Sequence, residues 1–522
     1  MLNLVSVFTH SVKEFPEKKA VIFGDKSFTF AQVNAVVNQV ANGLTQIGIK
    51  RGDKVALSCL NLPYFPMVYY GILKAGAVVV PLNVLLKGRE IAYHLNDSEA
   101  KAYFCFEGTP ELPMAKEGFD GFSQVDTCEH FFVITADPAS PSPIDNTQTF
   151  GQLIGTQSPE FDMVQTDPEE SAVILYTSGT TGFPKGAELS HSNMTLNAIA
   201  TRHLLQARYD DIHVIVLPLF HSFGQTCQMN AGFLSGNTLV LIPKFTPEAV
   251  LNAIQNEHAT VFAGVPTMYW ALLNYEDKEN RFDTRKIADT LRIGFAGASS
   301  LPLEIIKGIR EKYEIPILEG YGLSETCPVA TFNHLHKENK PGSIGTPIWG
   351  VEVDIFDKEC NPVPPGEVGE VVIRGHNVMK GYYNKPEATA DAFKGTTWFH
   401  TGDLGKKDED GYFYIVDRVK DMIIRGGYNV YPREIEEVLI AHPDISLASV
   451  IGIKDDSHGE EIAAYVVLNP GASVTEQEII DWSKEQMAAF KYPRVIKIRE
   501  GLPMTATGKI LKKELRAEVD AG

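Results

Sequence analysis

The chain has 522 residues, of which 44% are hydrophobic and 22% are charged, and its formal net charge is −19. This length exceeds what one hydrophobic core serves, and it predicts about three packing units of an ordinary globular protein. The excess of acidic residues argues against a nucleic-acid binder and against a protein held electrostatically on an anionic membrane.

The cysteines and the N-terminal segment favour a reduced, cytoplasmic compartment. The six cysteines are scattered, form no CxxC pair and have no nearby histidine at metal-ligand spacing. The N-terminal segment carries its first acid at residue 14, lacks the sustained apolar stretch of a secretory signal, and no run of about 18 apolar residues follows. We expect a cytoplasmic monomer or homodimer, and any membrane contact would be peripheral.

The first part of the chain alternates between helical and strand patterns. Residues 28–45 place apolar side chains at helical spacing, and GIKRGDKVAL after them predicts a turn and a buried strand. Residues 71–83, GILKAGAVVVPLN, repeat this order, whereas residues 107–168 are rich in Pro, Asp, Ser and Thr and predict connecting and edge structure. Such alternation predicts α/β layers around a largely parallel sheet.

Residues 173–191, VILYTSGTTGFPKGAELSH, have the composition of a strand that ends in an anion-binding loop. The glycines let backbone N–H groups approach an anion, the hydroxyls add donors, and Lys185 adds a positive charge. The spacing is not that of a Walker A loop, because Pro184 precedes Lys185 and Gly186 follows it. Taken alone, the segment is also compatible with a Gly/Thr-rich surface turn.

Between residues 190 and 340 the alternation of helices and strands resumes. Helices are predicted after Ser190, around 225–235 and from Pro247, with strands at HVIVLPLF, TLVLI and TVFAGVP. LRIGFAGASS and IPILEGYGLSE each predict a strand that ends in a turn of small residues. Ligands gather at the carboxyl ends of parallel strands, so we expect residues 177–186, 297–300 and 320–326 to surround one crevice, the predicted active site.

The pattern of strand and turn residues changes after about Gly342. Short, alternating strands punctuated by turns predict a small β-barrel, and Pro432 then marks the start of a helix in a further unit with two strands. We place the domain boundary at the charged junction 417–421, which suggests a hinge with a defined swing. The predicted organisation is a large α/β N-terminal domain, 1–416, and a small mobile α+β C-terminal domain, 422–522.

Six motifs occur in a fixed order from end to end, namely LKAGAVVVPLN, TSGTTGFPKG, EGYGLSET, the TGDLG run, DRVKDMIIRGGYNVYPREIE and PMTATGKI. Together they resemble the adenylate-forming enzymes, the superfamily of acyl-CoA synthetases, peptide-synthetase adenylation domains and beetle luciferases. LEGYGLSET and GVPTMY most resemble bacterial medium- and long-chain fatty acid–CoA ligases. The resemblance implies an AMP-forming acid–thiol ligase that uses ATP, Mg²⁺ and coenzyme A.

The resemblance also implies which residues surround ATP. The phosphate end would be held by the loop and its lysine, namely Thr177, Ser178, Gly179, Thr180, Thr181, Gly182 and Lys185. The adenine ring would lie in a flat slot of small residues, namely Gly297, Ala298, Gly320 and Gly322. Tyr321 would stack on the ring, and Thr326 would also bind the nucleotide. Glu325 and Thr177 would hold Mg²⁺.

The ribose and the coenzyme A would be bound by residues further along the chain. The carboxylate of Asp403 would accept a hydrogen bond from each ribose hydroxyl, because its two oxygens suit a vicinal diol. Arg418 would reach the same ribose. Lys420 is also implied as a nucleotide-binding residue. Gly426 and Gly427 would let the pantetheine arm of coenzyme A pass bare backbone.

The resemblance assigns the chemistry itself to Lys509, with Thr177, Lys185, Glu325 and His221 as further catalytic residues. The Lys509 cation would bridge the attacking carboxylate and the α-phosphate and so offset the repulsion between two anions. His221 stands where relatives place a histidine or an aromatic residue at the mouth of the acyl pocket.

Five of these residues have an ordinary structural alternative. These alternatives are a surface acid at a helix start for Glu325, a core aromatic for Tyr321, a turn former for Asp403, a solvated basic face with Lys512 and Lys513 for Lys509, and a structural histidine for His221.

The predicted acyl pocket carries no charged side chain in residues 225–236, 262–273 or 297–302. An amino-acid substrate would require an acid for its ammonium group, and a dicarboxylate would require an arginine. A fatty acid is therefore favoured, with no indication of its chain length. Three alternatives stay open: an enzyme that loads a carrier protein, an aryl or short-chain acid–CoA ligase, and a nucleotide-binding regulator that has lost catalysis.

Overall fold

The computed structural model describes residues 1–177, 183–299, 301–340, 342–455, 457–505 and 508–520. The α-helices of these ranges are α1 Ser6–Glu14, α2 Phe30–Gln46, α3 Tyr64–Lys74, α4 Gly88–Asp97, α5 Met114–Phe122, α6 Phe150–Ile154, α7 His191–Leu204, α8 Ala231–Leu234, α9 Pro247–Glu257, α10 Pro266–Leu273, α11 Thr284–Thr290, α12 Leu303–Tyr313, α13 Pro386–Phe393, α14 Pro432–Ile440, α15 Glu476–Gln486 and α16 Lys512–Asp520. A π-helix, Phe223–Asn230, and a 3₁₀ turn, Ser324–Thr326, add to them.

The strands of the large N-terminal part are β1 Lys19–Phe23, β2 Lys26–Thr29, β3 Lys54–Ser58, β4 Val78–Pro81, β5 Ala100–Phe106, β6 His130–Ile134, β7 Gln148–Thr149, β8 Ser171–Thr177, β9 Lys185–Ser190, β10 Ile212–Ile215, β11 Thr238–Leu241, β12 Val261–Gly264, β13 Ile293–Ala296, β14 Ile317–Gly322, β15 Val329–Phe332, β16 Thr346–Pro347, β17 Val351–Phe356, β18 Gly369–Gly375, β19 Gly381–Tyr382, β20 Phe399–Lys407 and β21 Phe413–Arg418. The C-terminal part adds β22 Ile423–Arg425, β23 Tyr428–Val430, β24 Ile445–Asp455, β25 Gly459–Leu468 and β26 Val495–Arg499.

Two large, mostly parallel sheets carry the N-terminal part. One has the order β19-β9-β8-β4-β3-β5-β6-β7 and is parallel except at the β8–β9 hairpin and β19. The other has the order β16-β15-β14-β13-β12-β10-β11-β1-β2 and is parallel from β14 to β1. The prediction of α/β layers around a largely parallel sheet is confirmed.

Helix α3 and the loop before it join the two sheets. Ten of its eleven residues are buried, and the hydroxyls of Tyr69 and Tyr70 donate to Gln225 and Asn230 of the π-helix at 3.2 and 2.7 Å. The Asn61 side chain donates to carbonyls at the ends of β10 and β11. Gln225 and Asn230 of the π-helix are thus hydrogen-bonded to α3.

Local capping explains where several helices begin. At α2, Thr29 Oγ1 accepts from the N–H of Gln32 at 3.2 Å, and Gln32 Oε1 accepts from the N–H of Thr29 at 2.9 Å. Ser190 and Asn193 form the same reciprocal pair at α7. Each pair satisfies donors that the first helical turn leaves without partners.

The segment 107–168 is more regular than the sequence predicts. It contains α5, α6 and the strands β6 and β7, which extend the eight-stranded sheet beyond β5. Helix α5 contacts its neighbours through Gly118 and Gly121, where an added Cβ would come within 2.7 Å of Cys105 and Gly88. These glycines let α5 pack closely on β5 and α4.

The third unit of the N-terminal part is an open antiparallel sheet of order β17-β18-β20-β21, where the sequence predicts a small β-barrel. The smaller C-terminal unit has the sheet order β23-β22-β25-β24, with β26 parallel to β25 and α14, α15 and α16 around it. Strand β21 of the large unit ends at Arg418 and strand β22 of the small unit begins at Ile423. The proposed hinge at 417–421 and the mobility of the small unit stay predictions.

Among the residues that the structure describes, no helix combines the length and the apolar character needed to cross a membrane.

Lys74 in α3 is a buried cation that has only neutral partners in the described structure. It is 6% exposed, and its ammonium donates to the side-chain oxygens of Asn38 at 2.5 Å and Asn34 at 3.1 Å. Burial lowers the pKa of Lys74 from 10.5 to about 8. Between these two values the unfolded chain binds more protons than the folded chain, so the Lys74 contribution to stability rises with pH.

We therefore expect Lys74→Met to remove a rise in stability with pH, which is at most about 1.4 kcal/mol per pH unit. The melting temperatures of both proteins would be measured from pH 7 to pH 10. The parent should gain stability relative to the variant as pH rises above 8. Lys278→Met, at a side chain that is 82% exposed, is the matched control. Parallel curves for the parent and Lys74→Met would contradict the prediction.

Candidate active site

The ends of strands from the two large sheets meet in one cleft. Strand β8 ends at Thr177, strand β14 ends at Gly322, and the 3₁₀ turn that follows β14 packs against both β8 and β9. The loop between β8 and β9 starts at this point, and its residues Ser178, Gly179, Thr180, Thr181 and Gly182 lie outside the described residues. The described arms of the loop are adjacent, because Thr177 pairs with Lys185 in the hairpin register.

The two residues predicted to hold Mg²⁺ are neighbours. Glu325 is 8% exposed, and its carboxylate accepts from the Tyr382 hydroxyl at 3.0 Å, with the Thr177 side chain beside it. Burial raises the pKa of Glu325, and within the described ranges no lysine or arginine forms an ion pair with it. A buried carboxylate with only neutral donors, beside a second oxygen ligand, fits the preference of Mg²⁺ for oxygen.

Tyr382 also lies beside the predicted phosphate-binding lysine. The Lys185 ammonium is 5.1 Å from the centroid of the Tyr382 ring, while the Tyr382 hydroxyl donates to Glu325. Sequence reasoning missed this residue, because its partner Glu325 is 57 positions away.

The glycines of the predicted adenine slot are required by packing within the protein itself. A Cβ on Gly320 would lie 2.4 Å from the Phe332 ring, and a Cβ on Gly322 would lie 1.6 Å from the carbonyl oxygen of Pro328. Gly297 is adjacent, since its Cβ would be 3.6 Å from the carbonyl oxygen of Gly320. A larger residue would require movement of the Phe332 ring at Gly320 and of the Pro328 backbone at Gly322.

Three neighbours of this slot differ in their placement. Ala298 is exposed and has a φ of +70°, a left-handed conformation that is rare for alanine. The ring of Phe223, which the sequence did not single out, would be 3.1 Å from a Cβ on Gly297. Thr326, next to Glu325, is fully buried, and its hydroxyl is hydrogen-bonded to the carbonyls of Leu323 and Pro328; its nucleotide-binding role stays a prediction.

Asp403 joins three parts of the cleft. Its Oδ2 accepts from the Tyr321 hydroxyl at 2.7 Å and its Oδ1 accepts from Arg418 Nε at 2.8 Å. Asp403 and Arg418 are opposite residues on the neighbouring strands β20 and β21, which explains their spacing of fifteen positions. Burial, and then the Asp403 charge, raise the pKa of Tyr321, so its hydroxyl stays a donor.

Lys509 of the small unit lies in the same cleft. The Thr267 hydroxyl of α10 donates to the carbonyl oxygen of Gly508 at 3.2 Å, and this contact docks the lysine loop on the large unit. Gly508 has a φ of +78°, and a Cβ there would be 2.7 Å from Thr267 Oγ1. Only glycine meets both requirements without strain.

The surroundings of Lys509 distinguish it from the other lysines of its segment. Lys512 forms an ion pair with Glu436 at 2.8 Å, whereas Lys509 forms none among the described residues. Solvent reaches the Lys509 side chain, yet desolvation by the surrounding protein, and then the Arg418 charge, lower its pKa while Asp403 opposes them.

His221 completes the group around Lys509. Burial, and then the Lys509 charge, lower the pKa of His221 to about 4, so the ring is neutral at pH 7. Its Nδ1 accepts from the N–H of Phe223 at 3.3 Å, which leaves the hydrogen on Nε2.

The residues predicted for coenzyme A lie on the small unit. Gly426 and Gly427 form the turn of the β22–β23 hairpin, and the Gly426 N–H donates to the carbonyl oxygen of His458 at 2.8 Å. Arg425, just before them, forms a two-point ion pair with Glu461 at 2.6 and 2.8 Å. Lys420 lies in the junction, and solvent reaches its side chain. Desolvation by the surrounding protein, and then the Arg418 charge, nevertheless lower its pKa.

Comparison with known proteins identifies the family. Residues 8–383 match the family described as AMP-binding enzyme, and residues 434–509 match the AMP-binding enzyme C-terminal domain. The chain is 34% identical to a long-chain-fatty-acid–CoA ligase of Bacillus subtilis (strain 168), over 99% of this chain and 94% of the relative. It is also 34% identical to a feruloyl-CoA synthase of an Amycolatopsis species, over 96% of each chain.

A solved structure agrees with these sequence relatives. The anthranilate CoA ligase AuaEII, in complex with anthranoyl-AMP, superposes with a TM-score of 0.91 at 30% identity, over 99% of this chain and 97% of that chain. Adenylate-forming CoA ligases use ATP, Mg²⁺ and coenzyme A. The chain therefore belongs to the AMP-binding enzyme family and, within the adenylate-forming superfamily, to the AMP-forming acid–CoA ligases.

Proposed function

We propose that the protein activates a medium- or long-chain fatty acid as its acyl-adenylate and transfers the acyl group to coenzyme A. In the first step a carboxylate oxygen attacks the α-phosphorus of ATP and pyrophosphate leaves. In the second step the thiol of coenzyme A attacks the acyl carbon, the thiol proton is lost and AMP leaves. The observation that carries the proposal is the docking of Gly508, the neighbour of Lys509, on Thr267 of the large unit, at the cleft where Asp403 binds Tyr321 and Arg418.

Lys509 supplies charge where the first step needs it. Two anions, the carboxylate and the α-phosphate, must approach each other, and a cation without an acidic partner offsets their repulsion. Its lowered pKa reflects the cost of an ammonium group in this cleft before an anion arrives. Bound substrates would supply the missing negative charge.

The other residues are proposed to bind and orient ATP. Asp403, already held by Tyr321 and Arg418, would accept the ribose hydroxyls with its remaining lone pairs. Lys185 and the β8–β9 loop would hold the phosphates, and Glu325 with Thr177 would hold Mg²⁺, which neutralises phosphate charge when bound. After the small unit has rotated, Gly426 and Gly427 would let the pantetheine arm of coenzyme A pass along backbone that carries no side chains.

The fatty-acid assignment depends on the absence of charge around the acyl position. Residues 222–236 and 262–273 contain no charged side chain, and His221 at the cleft is neutral. An aryl acid is the second candidate, because the Phe223 ring lies against Gly297 and a feruloyl-CoA synthase is as similar in sequence as the fatty-acid ligase. A carrier protein is the alternative acceptor to free coenzyme A.

We expect Lys509→Ala to damage the two half-reactions unequally. Adenylation should fall by about 10²–10³-fold, the usual loss for one well-placed electrostatic contact. Thioester formation from supplied acyl-AMP and coenzyme A should stay within several-fold of the parent, because thiol attack needs no bridge between two anions. Single-turnover assays measure each step. Lys513→Ala, at an exposed lysine of the same segment, is the control; equal loss of both steps in Lys509→Ala would remove the lysine from the chemistry.

Asp403→Asn should weaken the binding of ATP and AMP alike, since both contain the ribose. Loss of a hydrogen bond to a charged acceptor predicts about 10- to 100-fold weaker affinity for each nucleotide. Calorimetry on the parent and the variant measures both. Unchanged affinity for AMP would remove Asp403 from the ribose site, and circular dichroism would verify that the variant is folded.

A substrate panel tests the acyl assignment. Acid-dependent exchange of pyrophosphate into ATP should strengthen as an aliphatic chain lengthens, by up to about fourfold in kcat/KM per CH₂, until the pocket is full. The panel would include acetate, malonate, benzoate, ferulate and aliphatic acids of increasing length. A preference for ferulate or benzoate over every longer aliphatic acid would assign the protein to the aryl ligases. If no acid of the panel supports the exchange of pyrophosphate into ATP, the result would favour the nucleotide-binding regulator.

A further inference from the structure

Helix α4 contacts both arms of the β8–β9 loop. Its residues Tyr93 and Asp97 are one helical turn apart, so their side chains lie on the same face of the helix. Tyr93 reaches the arm that leads into β9, and Asp97 reaches the arm that leaves β8. Neither residue is among those proposed to contact ATP, Mg²⁺ or the acyl group.

Tyr93 holds the second arm by two contacts. Its hydroxyl donates to the carbonyl oxygen of Pro184 at 2.7 Å, next to Lys185. Its ring stacks on the ring of Phe183, with centroids 5.1 Å apart and planes at 22°. The Phe183 side chain is otherwise open to solvent, since 70% of the residue is exposed. An apolar ring this exposed is held in place by the stack rather than by a core.

Asp97 holds the first arm. Its Oδ2 accepts from the hydroxyl of Tyr176 at 2.9 Å, and Tyr176 immediately precedes Thr177. Its Oδ1 accepts from the Lys385 ammonium at 2.7 Å, and the carboxylate is only 9% exposed. Burial, and then the charge of Asp97, raise the pKa of Tyr176, so this hydroxyl remains a donor throughout the neutral range.

Four rings connect the two arms without a break. His94 lies edge-on to Tyr93, with centroids 5.6 Å apart, and edge-on to Tyr176, with centroids 4.5 Å apart. His94 is buried, and burial lowers its pKa, so it acts as a neutral spacer. We call the set Phe183, Tyr93, His94 and Tyr176 the aromatic bridge.

We propose that Tyr93 and Asp97 are positioning residues that fix the two described arms of the β8–β9 loop, so that Thr177 and Lys185 are placed to contact the β- and γ-phosphates of ATP. The inference rests on the proposed function of that loop. Arms held by hydrogen bonds and stacked rings lose little further conformational entropy when phosphate binds at Thr177 and Lys185, so the affinity is greater than it would be for arms without these contacts.

The bridge should matter for ATP and pyrophosphate but not for AMP. AMP and acyl-AMP carry only the α-phosphate, so they lack the β- and γ-phosphates that Thr177 and Lys185 would contact. A defect confined to ATP and pyrophosphate would therefore separate loop positioning from a general loss of structure, and from the ribose contact that is proposed for Asp403.

The test compares Tyr93→Phe with the parent. This change keeps the ring on Phe183 and removes the hydroxyl from Pro184. The dissociation constant for ATP and the KM for pyrophosphate in the reverse reaction should each rise by about three- to tenfold, the effect of one neutral hydrogen bond. The dissociation constant for AMP should change by less than about twofold. The rate of thioester formation from acyl-AMP and coenzyme A should also change by less than about twofold.

Two further variants sharpen the comparison. Tyr64→Phe is the matched control, because Tyr64 also donates to a backbone carbonyl, that of Ala136, at 2.9 Å, in another part of the fold; it should behave as the parent. Asp97→Asn should reproduce the selective loss for ATP, and Lys385→Met should show whether the ion pair adds to it.

The outcomes distinguish this inference from the proposed function. Equal affinities of Tyr93→Phe and the parent for ATP, or an equal loss for ATP and AMP, would overturn the positioning role and leave the proposed ligase standing. A parent that binds both nucleotides but activates no acid would overturn the proposed ligase. The positioning role would then still be decided by the calorimetric ratio of ATP to AMP affinity, which needs no acyl substrate.

Discussion

The ion pair between Asp403 and Arg418 is the interaction on which the arrangement of the cleft depends. Its two residues face each other on β20 and β21, and Arg418 is the last residue of β21 before the chain enters the small unit. Tyr321 ties the same carboxylate to β14 of the nine-stranded sheet. The pair therefore joins the antiparallel sheet, the parallel sheet and the junction at one buried point.

Charges without protein partners mark the cleft as a place for ligands. Glu325 is a buried carboxylate that accepts from the Tyr382 hydroxyl, and Lys509 is a cation that the described structure pairs with no acid. A protein that had only to fold would gain stability by neutralising or exposing such groups. A nucleotide phosphate with its metal ion would give each group the opposite charge that it lacks.

The glycines and the tyrosines of the cleft have complementary structural roles. Gly320, Gly322 and Gly508 allow segments to approach more closely than any side chain permits. Tyr93 and Tyr382 join segments at a fixed distance through a rigid ring with a polar end. The first group makes the cleft narrow, and the second group sets the separation of its walls.

The amino-acid sequence by itself determined the order of helices and strands, the loop after β8 and the chemical nature of most site residues. Periodicity, capping and turn residues are local properties, so they can be read along the chain; the short, glycine-rich α5 and the unclosed antiparallel sheet were the exceptions. The tertiary structure alone decided that Tyr382 meets Glu325, that Tyr93 meets Pro184 and that Thr267 meets Gly508. These pairs are separated by 57, 91 and 241 positions, and their contacts arise only when separate sheets and units pack together.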